Sequence, residues 1–184
     1  MRLTEDPELR RRRLVVLLRL PLLVPVALVA AAWLAVALLV LPFAYVAALF
    51  VGAVPAVLYG ISAAALGYAA QVHAWGGMVS ERYPWPHRRA SHPVQLEVPR
   101  ERQRRLTVLL RPALVVPPLV LASVLAVVEA GTAVAAWLVA LLLGRTTAGL
   151  RELGAFCVRY ETEVAAYLLL LTPRYPRLAP HAAP

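Results

Sequence analysis

The sequence predicts an all-α integral membrane protein: a helical bundle of about four transmembrane helices, built from two tandem parallel repeats, with short interfacial helices. Three observations predict it. Of 184 residues, 61% are hydrophobic and 16% charged, whereas soluble domains run about 45–50% apolar with about a quarter charged. The stretch RRLVVLLR at Arg12–Arg19 returns as RRLTVLLR at Arg104–Arg111. Of the 19 arginines, 16 cluster in three places: before the first apolar run, between the two halves, and after the last run.

Aligned without a gap at an offset of 92, residues 12–84 and 104–176 are identical at 25 of 73 positions. Ala, Leu and Val identities come cheaply in such a composition. Arg12, Arg13, Arg19, Pro25, Gly52, Tyr68, Arg82, Tyr83 and Pro84 also match their partners, and a single register over that length is the mark of tandem duplication. The chain divides into an N-terminal flank (1–11), repeat one (12–84), a linker (85–103), repeat two (104–176) and a tail (177–184).

Each repeat opens with an Arg- and Leu-rich stretch that suits a short helix at the headgroup level. Prolines at 21 and 25, or at 112, 117 and 118, suit a helix entry or bend. An apolar segment follows, Val26–Val51 or Leu119–Leu143, where about 20 residues suffice to cross the hydrocarbon. Each ends at a glycine, Gly52 or Gly144, and a third segment returns over Ala56–Ser80 or Ala148–Thr172. That makes two spans per repeat. The linker, rich in Pro and Arg, reads as an exposed connector, and Tyr83, Trp85 and Tyr175 as an interfacial aromatic belt.

Only Arg145 and Arg151 flank the inter-helix turns. Basic residues stay in the cytoplasm, so the expectation is a multi-pass protein of the inner (plasma) membrane with both termini and the linker cytoplasmic. An even number of spans per repeat leaves both copies in one orientation, which makes the repeats parallel. The expected partners are the lipid bilayer, anionic lipids at the cytoplasmic face, and a membrane-protein partner or a second copy of the chain. The net charge of +9 flanks apolar segments instead of forming a basic face on a soluble fold, so nucleic acid is not expected. Cys157 is the single cysteine, which excludes an intrachain disulfide. The first apolar run continues to Phe50, too long for a signal core.

Copy two carries Arg105-Leu106, Pro117, Gly144-Arg145, Gly154, Arg159-Tyr160, Tyr167, Leu170-Leu171-Thr172 and Tyr175-Pro176. With this pattern the chain resembles the bacterial membrane proteins grouped as domain of unknown function 4389. Copy one departs from it, with Ala53 after the glycine and Gly67 where Arg159 stands. The resemblance implies a membrane domain without an assigned activity.

No phosphate-binding loop, GxSxG elbow, HExxH helix or cysteine pair is present, so no enzyme, cofactor or metal is expected. His87 and His92 share the linker; His73 and His181 stand apart. The function expected is a structural or accessory membrane component, with a small transporter or channel subunit as the alternative. The polar residues of the spans are Gln71 and His73 in copy one and Glu129, Arg159, Glu161 and Glu163 in copy two. An ionisable group there costs roughly 2.5–3.5 kcal/mol, so it seeks a partner or a wet cavity. Glu129 lies 15 residues before Gly144 and Arg159 lies 15 after it, at equal depth in a hairpin. They are expected to pair, with Glu163 as a second acceptor.

Overall fold

A computed structural model describes residues 2–3, 13–86, 92–96 and 98–178, and the described chain is mostly helical. Helix α1 spans Arg13–Val51, α2 Ala56–Gly76, α3 Arg105–Leu114, α4 Val116–Leu143 and α5 Ala148–Leu168. Two short strands, β1 (Arg2–Leu3) and β2 (Val94–Gln95), pair antiparallel. His87, His181 and the arginines at 10–12, 88 and 89 lie outside the described residues.

Repeat one holds its first helix unbroken for 39 residues, about 58 Å, across Pro21, Pro25 and Pro42. Repeat two breaks the same stretch at Val115, between α3 and α4. Pro112, Pro117 and Pro118 crowd the break, and α4 restarts with proline in its first turn, where a missing N–H costs no helical bond. Both hairpin turns are closed by a left-handed glycine, Gly52 (φ 74°) and Gly144 (φ 66°). Each N–H bonds back at 3.0 Å, to the Ala48 and Ala140 carbonyls. α2 and α5 also end alike. Met78 and Leu170 take positive φ, which non-glycine residues avoid. Each closes a Schellman-type cap, with Val79 N–H on Ala74 and Leu171 N–H on Ala166.

The repeats pack head to tail. Val16, at the start of α1, lies against Ala136 and Ala140 near the end of α4, with Met78, Trp137 and Leu150. Val108, at the start of α3, lies against Ala44 and Ala48 near the end of α1, with Leu170, Tyr45 and Leu58. The two clusters use the same six positions of the repeat, so the copies are related by a pseudo-two-fold axis across the helices. The expectation of parallel repeats, with both termini and the linker at one end, is therefore overturned.

Its physical cause is the linker. Instead of staying at the end where α2 finishes, it runs extended back along α2. Gln71 Nε2 donates to the Val94 carbonyl at 3.1 Å, Tyr59 OH to Val98, and Arg100 Nη2 to Val54. The Gln103 N–H meets the Gly52 carbonyl at 3.0 Å. Repeat two thus starts at the opposite end from repeat one, and residues 98–105 sit beside the Gly52 turn. At the other end of this strap His92 Nδ1 accepts the Val94 N–H at 3.1 Å, while Nε2 faces the Arg82 carbonyl at 3.0 Å.

Two helices, α1 from Val16 to Val51 and α4, are long and apolar enough to cross a membrane. Both leave large apolar side chains exposed, among them Leu28, Leu39, Phe43, Val127 and Leu142. Their buried stripes are small: Ala30, Ala37, Ala44 and Ala48 on α1, and Ala122, Ala136 and Ala140 on α4. Small residues let apolar helices approach closely where water supplies no drive to associate.

Candidate functional site

Arg19 and Arg111, matched in the sequence repeat, are buried instead of flanking a span in water. The Arg111 guanidinium stacks 4.2 Å from the Tyr167 ring and donates to the Tyr167 carbonyl and Gln103 Oε1, both at 2.6 Å. Gln103 passes the chain on to the Leu170 carbonyl. Arg19 stacks 4.8 Å from the Trp75 ring, donates to the Ser80 carbonyl at 3.1 Å and touches Met78 Sδ. Trp75 and Tyr167 are equivalent, and each meets a tyrosine edge-on, Tyr83 at 5.1 Å and Tyr175 at 5.7 Å. Tyr83 and Tyr175, two of the three aromatics expected at the interface, thus each close an arginine bracket, while Trp85 lies edge-on to Tyr83.

Between the brackets, α1, α2, α4 and α5 line an open cavity of about 460 Å³. Its wall is apolar, with Leu23, Ala27, Leu34, Val72 and Ala126, except where His73, Glu129 and Glu161 meet. His73 Nδ1 lies 3.9 Å from Glu129 Oε2 and 3.8 Å from Glu161 Oε2. The two carboxylates are largely buried, while the imidazole is about half exposed. Gly77 makes room for them: a Cβ there would lie 3.4 Å from Glu129 Oε1 and 3.2 Å from the His73 carbonyl.

His73, which stood apart in sequence, therefore has two acidic neighbours. The expected Glu129–Arg159 pair is not formed. Arg159 is directed away, donating to the Leu178 carbonyl at 3.0 Å beside the Phe156 ring. Equal distance from Gly144 did fix the depth, but depth is only half the address. At 100° per residue, Arg159 and Glu161 point about 200° apart, so only one can face α4. Glu163, about 40° from Arg159, falls on the Arg159 side. Gln71 serves the linker instead of the cavity.

A family model described as "Domain of unknown function (DUF4389)" matches residues 13–88 and again residues 105–179. The chain belongs to the DUF4389 family. Two copies of the DUF4389 domain thus account for nearly all of it, in the register the sequence repeat sets. No curated protein and no solved structure matches the chain. Across the two DUF4389 copies the brackets, turn glycines and αL caps are shared, whereas the polar cluster is not. Under the repeat, Glu129, Glu161 and His73 correspond to Ala37, Ala69 and Ala165.

In the DUF4389 linker, burial holds His92 below the ordinary imidazole value, with the bond to the Arg82 carbonyl opposing in part. The Val94 N–H on Nδ1 requires the neutral ring, with its proton on Nε2.

Proposed function

We propose that this chain is a non-enzymatic, four-span component of a bacterial inner membrane that binds a small ligand between its two domains and passes it across the bilayer. One observation carries the reading: antiparallel repeats with a single polar cluster at the wall of an apolar cavity between them. Inverted repeats with a site at their interface are a recurrent plan of secondary transporters. In this reading α1 and α4 face lipid, and α2 and α5, each 21 residues or about 31 Å, cross behind them. Arg19 and Arg111 then bracket the hydrocarbon. Arg111 lies a turn from Val108, which packs on Ala44, and residues 19 to 44 of α1 rise roughly 38 Å. The extended linker crosses at membrane depth because α2 and its side-chain donors cover it, the condition under which irregular backbone is tolerated there.

The alternative is an accessory component, favoured by the broad apolar faces of α1 and α4, which suit a partner membrane protein as well as lipid. Proteoliposomes separate the two. The transport reading expects ion or solute flux above that of empty vesicles and its loss in Glu129→Gln. Vesicles as tight as empty ones, together with copurification of a stoichiometric partner from native membrane, would establish the accessory role instead.

A further inference from the structure

We infer that His73, Glu129 and Glu161 form a binding site for one divalent first-row transition-metal ion of the zinc, iron(II) or manganese class. The inference names the ligand for the cavity described above and rests on the transport reading only for movement of the ion once bound.

Spacing is the first reason. The imidazole nitrogen and the two carboxylate oxygens all lie within 4.8 Å of one another. His73 is 3.8 and 3.9 Å from the carboxylates, within ion-pair distance but beyond direct hydrogen-bond reach, which leaves space between the three groups. An ion about 2.1 Å from each ligand in tetrahedral geometry would hold them roughly 3.4 Å apart. A contraction of about half an ångström on the His73 edges, and of up to about 1.4 Å between the carboxylates, would seat it. Glu161 Oε1 is also buried without a hydrogen-bond donor.

Charge is the second. Two carboxylates side by side in an apolar wall repel each other, with the His73 imidazole alone among the described residues at ion-pair distance from both, and Arg159, the arginine closest in sequence, is engaged elsewhere. A divalent ion with a neutral imidazole would bring the cluster to zero net charge, the condition under which buried charge is tolerated. The fold itself does not demand polarity at these positions, because the other repeat places Ala37, Ala69 and Ala165 there.

Ligand chemistry narrows the ion. One imidazole with two carboxylates suits zinc, iron(II) or manganese. Calcium and magnesium prefer oxygen throughout, and copper(I) prefers sulfur. Three protein ligands leave an open position, as sites that handle an exchangeable ligand do. The ligands come from α2 of one domain and from α4 and α5 of the other, so an ion would tie the repeats together.

The test is equilibrium binding to the full chain in detergent, stripped with chelator. Co²⁺ is followed by visible absorption and Zn²⁺ by calorimetry. One ion per chain is expected, with excess Mg²⁺ or Ca²⁺ failing to compete. His73→Ala, Glu129→Gln and Glu161→Gln should each weaken binding by at least about tenfold, and Glu163→Gln should not. If a single variant misfolds, the combined His73→Ala, Glu129→Ala, Glu161→Ala chain, which copies the apolar half, should stay folded and bind nothing. Absence of stoichiometric binding, equal competition by Mg²⁺, or binding that survives the combined variant would overturn the site. Binding without flux would sink the transport reading and leave the site standing; flux without binding would do the reverse.

Discussion

The two ends of this molecule are built from one repeat and filled differently. In the apolar end Ala37, Leu169 and Ala165 share a cluster, with Leu169 supplying the volume. In the polar end the equivalents are Glu129, Gly77 and His73: where the side chain on the first helix grows, the residue after the second helix shrinks to glycine. Framework and filling are therefore separable. The arginine brackets, turn glycines and αL caps recur at both ends and hold the fold, whereas the exchange at one end makes a polar cluster.

The largest effect should come from breaking the framework. Arg111→Ala removes a fully buried guanidinium, strips the donor from Gln103 Oε1 and leaves the Tyr167 carbonyl with the Leu170 N–H alone, for a loss of about 3 kcal/mol in detergent unfolding. Lysine should not restore it, because a point charge lacks the planar fork. Arg19→Ala should cost somewhat less, since the thioether of Met78 stands where Arg111 meets an amide oxygen and is the weaker acceptor. Indifference to both changes would show that the brackets hold nothing.

Next in size is the filling. His73→Ala leaves two carboxylates facing each other and should destabilise by roughly 2 kcal/mol at neutral pH without added metal. Converting the polar end to the apolar one, with His73→Ala, Glu129→Ala and Glu161→Ala together with Gly77→Leu, should match or exceed the parent, because well-packed apolar residues often replace buried charge without loss. Unfolding of the combined variant would mean the ends are not interchangeable. Gly77→Ala alone probes the space there. Its Cβ comes tightest on the His73 carbonyl, at 3.2 Å, and only touches Glu129 Oε1, at 3.4 Å, so it should cost at most about 1 kcal/mol, little of it relieved by Glu129→Ala.

The duplication and its register were legible in the sequence, since Arg19, Gly52, Tyr68 and Tyr83 recur at one offset. Helix content and two apolar spans were legible from composition and run length. The relative orientation of the copies was not. Counting spans fixes orientation only if the linker stays where it starts, and nothing in its composition announces a strap held by Gln71, Tyr59 and the Val54 carbonyl from elsewhere in the chain. The site was half legible: Glu129 and His73 stood out as costly in an apolar segment. Depth from the turn pointed to Arg159, however, where helix azimuth selects Glu161.

The smallest effect concerns that strap. Burial holds His92 below its ordinary value, so the unfolded chain takes up the proton first as pH falls. Stability is complete above the ordinary imidazole range and declines as pH drops through it toward the lowered folded value. His92→Gln should flatten this slope and cost under about 1 kcal/mol at neutral pH. An unchanged pH profile in that variant would remove His92 from the account.

Head-to-tail packing is tested most directly by disulfide trapping in a Cys157→Ser background. Val16 and Ala140 meet at one end, and Val108 and Ala48 at the other. Cysteines at 16 with 140, and separately at 108 with 48, should cross-link within a single chain in native membranes, whereas cysteines at 16 and 108 should not. A rapid cross-link between 16 and 108, with the other two pairs unreactive, would place both repeats in the same orientation and contradict the fold described here.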